Sequence, residues 1–408
     1  MMRALRKWSP LNGPKNPIES TTIIPIENNP LRKLSLPPSK SHLIRWAMMA
    51  ALQDNQTMLR FEGIPGEDAE SMRRSLIQMG ANIESNNDGW RVDGGAFRRP
   101  ISVLHCGNSA TTLRLLAIQV ASLAEPVMLD GDANLRARDH STIVQLLRDL
   151  EVEVSHGSGP ESLPLLIKGP INNSSVQVDV SKSSQPLSAL ILASHSLNQE
   201  VKVETIGKPV SQAHGELSKQ VGQQCGMPEF NITLNKWNVN PPSEVKIPAD
   251  SSLLAFIHLF NHLHASDISV ELETKDILYP EVLDSPIQGK INLSTANDLI
   301  TPIAALMCLQ NGGEIVGVAH ARHKESNRIE KTVEMLKSFD LEVEATADGL
   351  RMEGGQEVAV PTENVACFGD HRMFMTAAVL ATKVGAELDS PGCYQVSWPE
   401  FSELVQMK

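Results

Sequence analysis

Charged and hydroxyl side chains crowd the beginnings of several aliphatic stretches. Lys40, Ser41 and Arg45 stand at the head of S-K-S-H-L-I-R-W-A-M-M-A-A-L from Ser39. Arg114 follows Asn108 in N-S-A-T-T-L-R-L-L-A, and Ser183, Ser184 and Gln185 open S-S-Q-P-L-S-A-L-I-L-A. Three further stretches begin at Asp250, Asn297 and Asp370, the last carrying Arg372. Ser, Asn and Asp cap helices because their side chains accept bonds from the free N–H groups of the first turn. Those same N–H groups, with the positive end of the helix dipole, attract anions. One Ser or Lys at such a place reads as a cap or a solvated charge. The whole set, on otherwise apolar helices, reads as an anion site.

The segment H-K-E-S-N-R-I-E from His323 points the same way. On one helix, Lys324 and Arg328 would be four apart and would repel. A shared anion would relieve that repulsion, and Glu325 supplies a carboxylate beside them; the plainer alternative is an exposed charged turn. Asp298 enters T-A-N-D-L-I-T-P-I-A-A-L, a stretch otherwise short of charge. It reads either as an N-cap or as a base for a bound hydroxyl. His371 reads as a hydrogen-bonded core residue and Cys106 as a buried, inert thiol. No H-E-x-x-H spacing, phosphate-binding G-x-x-x-x-G-K-[ST] or dinucleotide G-x-G-x-x-G is present, so neither a metal nor a nucleotide cofactor is expected.

The elements that must position these residues repeat along the chain. L-I-Q-M-G-A-N-I-E from Leu76 with G-W-R-V-D-G-G from Gly89 matches L-K-S-F-D-L-E-V-E from Leu336 with G-L-R-M-E-G-G from Gly349. A looser copy runs from Leu146 to Gly169. Each reads as the end of an amphipathic helix followed by a β-hairpin. The aliphatic stretches are apolar all round, which predicts buried helices. Together these features predict an α/β chain of two globules, three units each, with helices inside sheets. The first and last portions of the chain are expected to share one globule.

Composition sets the outer limits. The chain has 408 residues, 41% hydrophobic and 21% charged, enough for two or three ordinary domains. With 36 basic against 48 acidic residues the formal charge is −12, which argues against nucleic acid or an anionic membrane as partner. Five cysteines (Cys106, Cys225, Cys308, Cys367 and Cys393) include no C-x-x-C pair, so a reducing, cytoplasmic setting is expected. No apolar run approaches the ~18 residues of a membrane span. The basic first 17 residues read as a loose tail.

The stretches L-P-P-S-K-S-H-L-I-R at Leu36, G-N-S-A-T-T-L-R at Gly107 and R-A-R-D at Arg136 resemble the enolpyruvyl transferase family, in its shikimate 3-phosphate branch. S-S-Q at Ser183, K-E-S-N-R at Lys324 and G-D-H-R-M at Gly369 complete the set, in the family's order from about Leu34 to the end. The resemblance implies a two-globule inside-out α/β barrel, each globule made of three βαβαββ units. It places 38–247 in one globule and 1–37 with 248–408 in the other, with crossings near Pro38 and Pro248 and the active site in the cleft. The implied reaction moves the enolpyruvyl group of phosphoenolpyruvate to a hydroxyl of shikimate 3-phosphate and releases phosphate, in a monomer, without a cofactor.

By the same resemblance, Lys40, Ser41, Arg45, Ser183, Ser184, Gln185, Asp298 and Lys324 would hold shikimate 3-phosphate. Lys40, Ala110, Arg138, Gln185, Arg328 and Arg372 would hold phosphoenolpyruvate. Asp298 would take the hydroxyl proton, with Glu325, Lys324 and Lys40 assisting; Glu325 is expected to have a raised pKa. The chain departs from the family's pattern at Gly207, where a phosphate-binding Ser is usual, and at Val210, where Tyr is frequent. It departs again at Val396 or Ser397, where a Lys is expected, and at His320, in place of Asn. Ala110 stands where Gly is common, and its methyl group is expected to narrow the phosphoenolpyruvate pocket. The departures leave open another hydroxyl acceptor, or a homologue that binds anions without catalysis.

Overall fold

Helices that are apolar on every side can only be stable inside a protein, and here the aliphatic stretches are enclosed along almost their whole length. In the computed structural model, which describes residues 19–27, 33–95, 97–159, 161–229, 232–272 and 275–407, the helices are α1 (Lys40–Ala51), α2 (Glu67–Gln78), α3 (Ala110–Val120), α4 (Ala133–Arg136), α5 (Ser141–Asp149), α6 (Gln185–Ala193), α7 (Gln212–Gln224), α8 (Leu254–His264), α9 (Ile300–Leu309), α10 (Arg328–Lys337) and α11 (His371–Val384). The expected N-terminal tail lies outside the described residues. In α1 every residue from His42 to Ala51 is buried, and in α11 every residue from His371 to Thr382. Each fully buried Leu or Ile contributes about 1.5–3 kcal/mol, so these helices are driven inward by their own composition. By contrast α2, α5 and α10 alternate buried and exposed positions and flank the sheets.

Three four-stranded sheets share one connectivity. Across the first, the strands run Glu244–Lys246, Gln56–Arg60, Gly89–Asp93, Asn82–Asn86. The second runs Leu104–His105, Val127–Asp130, Leu165–Lys168, Glu153–Ser155, and the third Gly289–Asn292, Gly313–Val316, Leu350–Met352, Val343–Ala345. In each, the first pair is parallel and the other two antiparallel. The sequence repeats are these hairpins. Gly89 and Gly349, which open the second hairpin strand in the two clearest copies, pass under a neighbouring strand. A Cβ there would stand 1.9 Å from the carbonyl oxygen of Leu59 or Ile315, so only glycine lets the strands close.

The other three units depart from the full βαβαββ pattern. The sheet of Ser175–Asp179, Val201–Ile206 and Thr233–Leu234 has three strands among the described residues. After α8 there is, among the described residues, only a 3₁₀ turn, Glu281–Asp284, in a stretch interrupted by Pro280 and Pro286. After α11 and the strand Ala386–Asp389 come the 3₁₀ turns Cys393–Val396 and Pro399–Glu403, again among prolines. Ser20–Ile23 pairs antiparallel with Ala386–Asp389, so the start of the described chain finishes the last unit.

Apolar side chains form two clusters, one between Leu43 and Ile247 and the other combining Ile23, Leu34 and Leu36 with residues from Leu253 to Val405. The chain passes between them twice, side by side. Ser39 N–H donates to Pro248 O and Asp250 N–H to Pro37 O, each at 2.8 Å. We propose 38–247 as one globule and 1–37 with 248–408 as the other.

The caps differ in detail from those read in the sequence. Ser109, not Asn108, caps α3, accepting from Thr112 N–H, and Ser184, not Ser183, precedes α6. Asp370 caps α11 as expected. Asp250 caps the 3₁₀ turn that leads into α8. Asn297 caps nothing: it begins a 3₁₀ turn before α9, and its Nδ2 donates to Ser211 Oγ of the other globule at 3.1 Å.

Candidate active site

The starts of α1, α7, α9 and α11 meet in the cleft between the two apolar clusters. The space there is lined by Lys40, Ser41, His214, Asp250, Ser252, Asp298, Lys324 and Arg372 among others. Burial of helices inside the sheets is what brings several N-termini to one place.

Arg328 organises the wall on the α9–α11 side. Its side chain is 1% exposed. Nε donates to Asp370 Oδ2 at 2.9 Å, Nη1 to Asp298 Oδ1 at 2.7 Å and Nη2 to Glu325 Oε2 at 2.7 Å. One guanidinium thus fixes carboxylates from three separate segments, using the planar fork that lysine lacks. Asp298 also faces Arg372 Nη2 at 3.7 Å, and Arg372 Nη2 donates to Ser252 Oγ at 2.9 Å. Asp298 is therefore held by two arginines and caps no helix. Lys324 and Arg328 do not share a helix face: a 3₁₀ turn ends at His323, Lys324 is extended, and Asn327 caps α10. Asp298 and Glu325 both accept from Arg328, and both act on Lys324.

From the other wall, Arg138 Nη1 stands 3.6 Å from Glu325 Oε1, and Asn134 Oδ1 accepts from Arg138 Nε at 3.1 Å. Asn108 Oδ1 accepts from the same guanidinium. Lys40 Nζ donates to Asp68 Oδ2 at 2.9 Å. Gln185, at the start of α6, accepts from Arg114 Nη1 at Oε1 and donates from Nε2 to Thr111 Oγ1. Ser183 Oγ accepts from Gln185 N–H at 3.2 Å.

Charge in this cleft is unbalanced. Lys40, Arg114, Arg138, Lys324, Arg328 and Arg372 outnumber the carboxylates Asp68, Asp250, Asp298, Glu325 and Asp370 by one. Burial opposes ionisation of Asp298, but Arg372, Lys324, Arg328 and Lys40 hold its carboxyl well below the ordinary range. For Glu325 the expectation of a raised pKa is reversed. Burial does push it up, yet Arg328, Arg138 and Lys40 outweigh that and hold it well below the usual value. Lys324 is lowered, mainly by burial. Lys40 is raised: Asp68, Glu325 and Asp298 overcome its burial. His371 is buried and held well below its ordinary value by burial and Lys40, hence neutral.

Not every expected residue reaches the cavity. Arg45 is fully enclosed, donating to Ser218 Oγ at 2.8 Å and to the carbonyl oxygen of Ser41 at 2.8 Å. Burial lowers it to about 10. Ser183, Ser184, Gln185, Ala110, Arg138, Glu325 and Arg328 do not line that space either, Ala110 being the first residue of α3. Val396 and Ser397 offer no cation; their backbone instead packs onto Gly66 of the opposite globule, where a Cβ would stand 2.5 Å from Val396 O. At Gly207 a Cβ would meet Ser181 Cβ at 2.8 Å. His320 is buried and pushed down to about 4 by burial and Lys324. The sequence reading missed Asp68, Asn134 and Ser252, none of which stands in a distinctive motif, and the second role of Asp370 as an anchor for Arg328.

Glu325, Asp370 and His371 bring one possible metal-ligand atom each within 4.8 Å of one another. The Arg328 guanidinium already sits on both of those carboxylates. A metal ion would have to join Arg328, Arg138 and Lys40 around the same oxygens, so the residues do not fit one.

Arg328→Met should lower stability by about 3–5 kcal/mol, because it leaves buried carboxylates uncompensated. Asp298 and Glu325, held low in the folded state, contribute stability that is present above the unfolded carboxylate value of about 4 and is lost as pH falls through their folded values. The gap between wild type and variant in urea midpoint should therefore narrow on acidification. A gap below about 1 kcal/mol at pH 7 would show that the guanidinium is not the anchor.

Known proteins share both the sequence and this architecture. A family profile described as EPSP synthase (3-phosphoshikimate 1-carboxyvinyltransferase) matches residues 29–271 and 252–405. The 3-phosphoshikimate 1-carboxyvinyltransferase of Methanocorpusculum labreanum is 28% identical over 91% of this chain and 94% of its own. That of Korarchaeum cryptofilum is 29% identical over 90% and 93%. The structure of EPSP synthase from Acinetobacter baumannii superposes with a TM-score of 0.73 at 21% identity, covering 95% of this chain and 99% of that one. The enolpyruvyl transferase NikO from Streptomyces tendae has the same fold, with a TM-score of 0.70 at 12% identity. With the profile spanning almost all of the described chain, the protein belongs to the EPSP synthase family.

Proposed function

We propose that the chain transfers the enolpyruvyl group of phosphoenolpyruvate to the 5-hydroxyl of shikimate 3-phosphate and releases phosphate, a step of aromatic amino acid biosynthesis. The observation that carries the reading is the cationic excess around a cleft that also holds Asp298, Glu325 and Lys324. Pure anion binding has no use for a carboxylate fixed between Arg328 and Arg372. Membership of the EPSP synthase family supplies the substrate pair.

Two multiply charged anions repel each other, and the cations on both walls offset that repulsion and fix orientation. Lys40, Ser41, Ser183, Ser184, Gln185 and Lys324 hold shikimate 3-phosphate, with Arg45 supporting α1 from behind. Lys40, Arg138, Gln185, Arg328 and Arg372 hold phosphoenolpyruvate beside Ala110. Asp298 accepts the proton of the attacking hydroxyl as its oxygen bonds to C2 of phosphoenolpyruvate. A proton from Glu325, with Lys324 and Lys40 beside it, is added at C3. The tetrahedral adduct then loses phosphate, and the C3 proton returns to the enzyme as the enol double bond re-forms.

The low pKa values of Asp298 and Glu325 belong to a cleft without substrate. Such a carboxyl is a weak base and a scarce acid, and proton transfer works best with pKa values near the working pH. Two bound anions offset the surrounding arginines and raise both carboxyls, so the groups reach working pKa values only when both substrates are present. Both walls come from one chain, and we read the enzyme as a cytoplasmic monomer. No helix among the described residues is long and apolar enough to cross a membrane.

Purified protein should release phosphate only with phosphoenolpyruvate and shikimate 3-phosphate together. Asp298→Asn should cut that rate by about 10²–10⁴ while both ligands still bind. If Asp298→Asn leaves turnover unchanged, Asp298 is only a partner for the arginines. If wild type binds phosphoenolpyruvate but releases nothing, the acceptor is another hydroxyl compound, and Gly207 and Val210 become the residues to explain. Ala110→Gly removes the methyl group beside the phosphoenolpyruvate site, and inhibition by glyphosate should tighten about tenfold. Equal inhibition of both proteins would remove Ala110 from that role.

A further inference from the structure

Gln185 can serve an anion in only one of its two amide orientations. Its N–H groups attract phosphate or carboxylate oxygens, and its carbonyl oxygen repels them. Thr111, 2.9 Å from Nε2, does not decide the matter, because a hydroxyl can donate or accept. Arg114 does. A guanidinium carries donors only, and Arg114 Nη1 stands 2.5 Å from the amide. The end facing Arg114 must therefore be Oε1, which commits Nε2 to the side of Thr111, where its second N–H has no partner among the described residues.

Arg114 makes no other hydrogen bond among the described residues. It follows Ala110 by one turn of α3, and among the described residues no carboxylate lies within ion-pairing distance of it. Its Nε is buried without a hydrogen-bond partner, an arrangement that packing alone does not require. The helix that carries it is also fixed elsewhere, through Gln119 to His195 at 3.1 Å, in the 3₁₀ turn that follows α6. Arg114 is thus not needed to dock α3 on α6.

We infer that Arg114 is a positioning residue, which holds the Gln185 amide with its N–H face toward the anionic substrates. The inference rests on the proposed reaction, since it needs Gln185 to touch phosphoenolpyruvate and shikimate 3-phosphate.

A double-mutant cycle tests it. Arg114→Met keeps length and removes every donor. It should raise the KM of phosphoenolpyruvate about tenfold, the loss expected for one charge-assisted contact, with kcat changed less than KM. In a Gln185→Ala background the same substitution should change KM less than about twofold. An equal loss in both backgrounds overturns the inference, because Arg114 would then act by its own charge. Gln185→Glu keeps the bond to Arg114 and removes the N–H groups. It should fold with an undiminished Tm yet weaken phosphoenolpyruvate about tenfold or more; wild-type affinity in that variant also overturns the inference, even if Arg114→Met does not fold. Turnover by the unaltered chain is measured alongside. If it is absent, the reaction assignment fails by itself, and calorimetric binding of phosphoenolpyruvate reads the same cycle.

Discussion

A buried guanidinium bonded to three carboxylates is the interaction on which the rest of this site depends. Arg328 draws Asp298, Glu325 and Asp370 from the start of α9, the turn before α10 and the cap of α11. Arg328 and Asp370 are sealed from water, so removing either charge would strand the other. Yet the cluster is not neutral, because Lys40, Lys324, Arg138 and Arg372 press on the same oxygens. The protein's own carboxylates hold the cleft together and leave it with surplus positive charge. That surplus is the thermodynamic reason for it to take up anions, and for Asp298 and Glu325 to be poor proton carriers until it does.

The fold supplies this arrangement through an inversion of the usual layering. Helices apolar on all faces fill the interior, and amphipathic helices and hairpins wrap them. An N-terminus buried in this way has few partners other than caps, ligands and a neighbouring globule. Asn297 shows the last case, using its amide on Ser211 across the cleft. The segment at Val396–Ser397 shows another, packing its backbone on Gly66 and tying the globules together without adding a charge.

Much of the fold was legible because the constraints were local. Period-3.6 stretches with no polar face had to be interior helices. Gly89 and Gly349 marked the tight hairpins because no other residue clears the carbonyl oxygens of Leu59 and Ile315. Caps were read one residue early at Asn108 and Ser183, where two small polar residues follow each other and only the backbone decides which accepts the N–H bond. The two departures after α8 and α11 follow from prolines, which break helices without saying what replaces them. In the site, the identity of the cationic residues was legible and their mutual geometry was not. Lys324 and Arg328 suggested one helix face, but Asn327 intervenes as a cap. The sign of the Glu325 shift depends on Arg138, which approaches from the other globule, and on Lys40 at the start of α1; no motif around Lys324 carries that information.

The central claim is that substrate anions and the two carboxyls compete for the same cations. Calorimetry of phosphoenolpyruvate binding to the protein loaded with a shikimate 3-phosphate analogue that lacks the reacting 5-hydroxyl, near pH 7 in buffers of different ionisation enthalpy, measures it directly. Because the bound anions raise Asp298, Glu325 and Lys324 together, complex formation should take up protons from solution. No exchange, or net release of protons, would contradict the account.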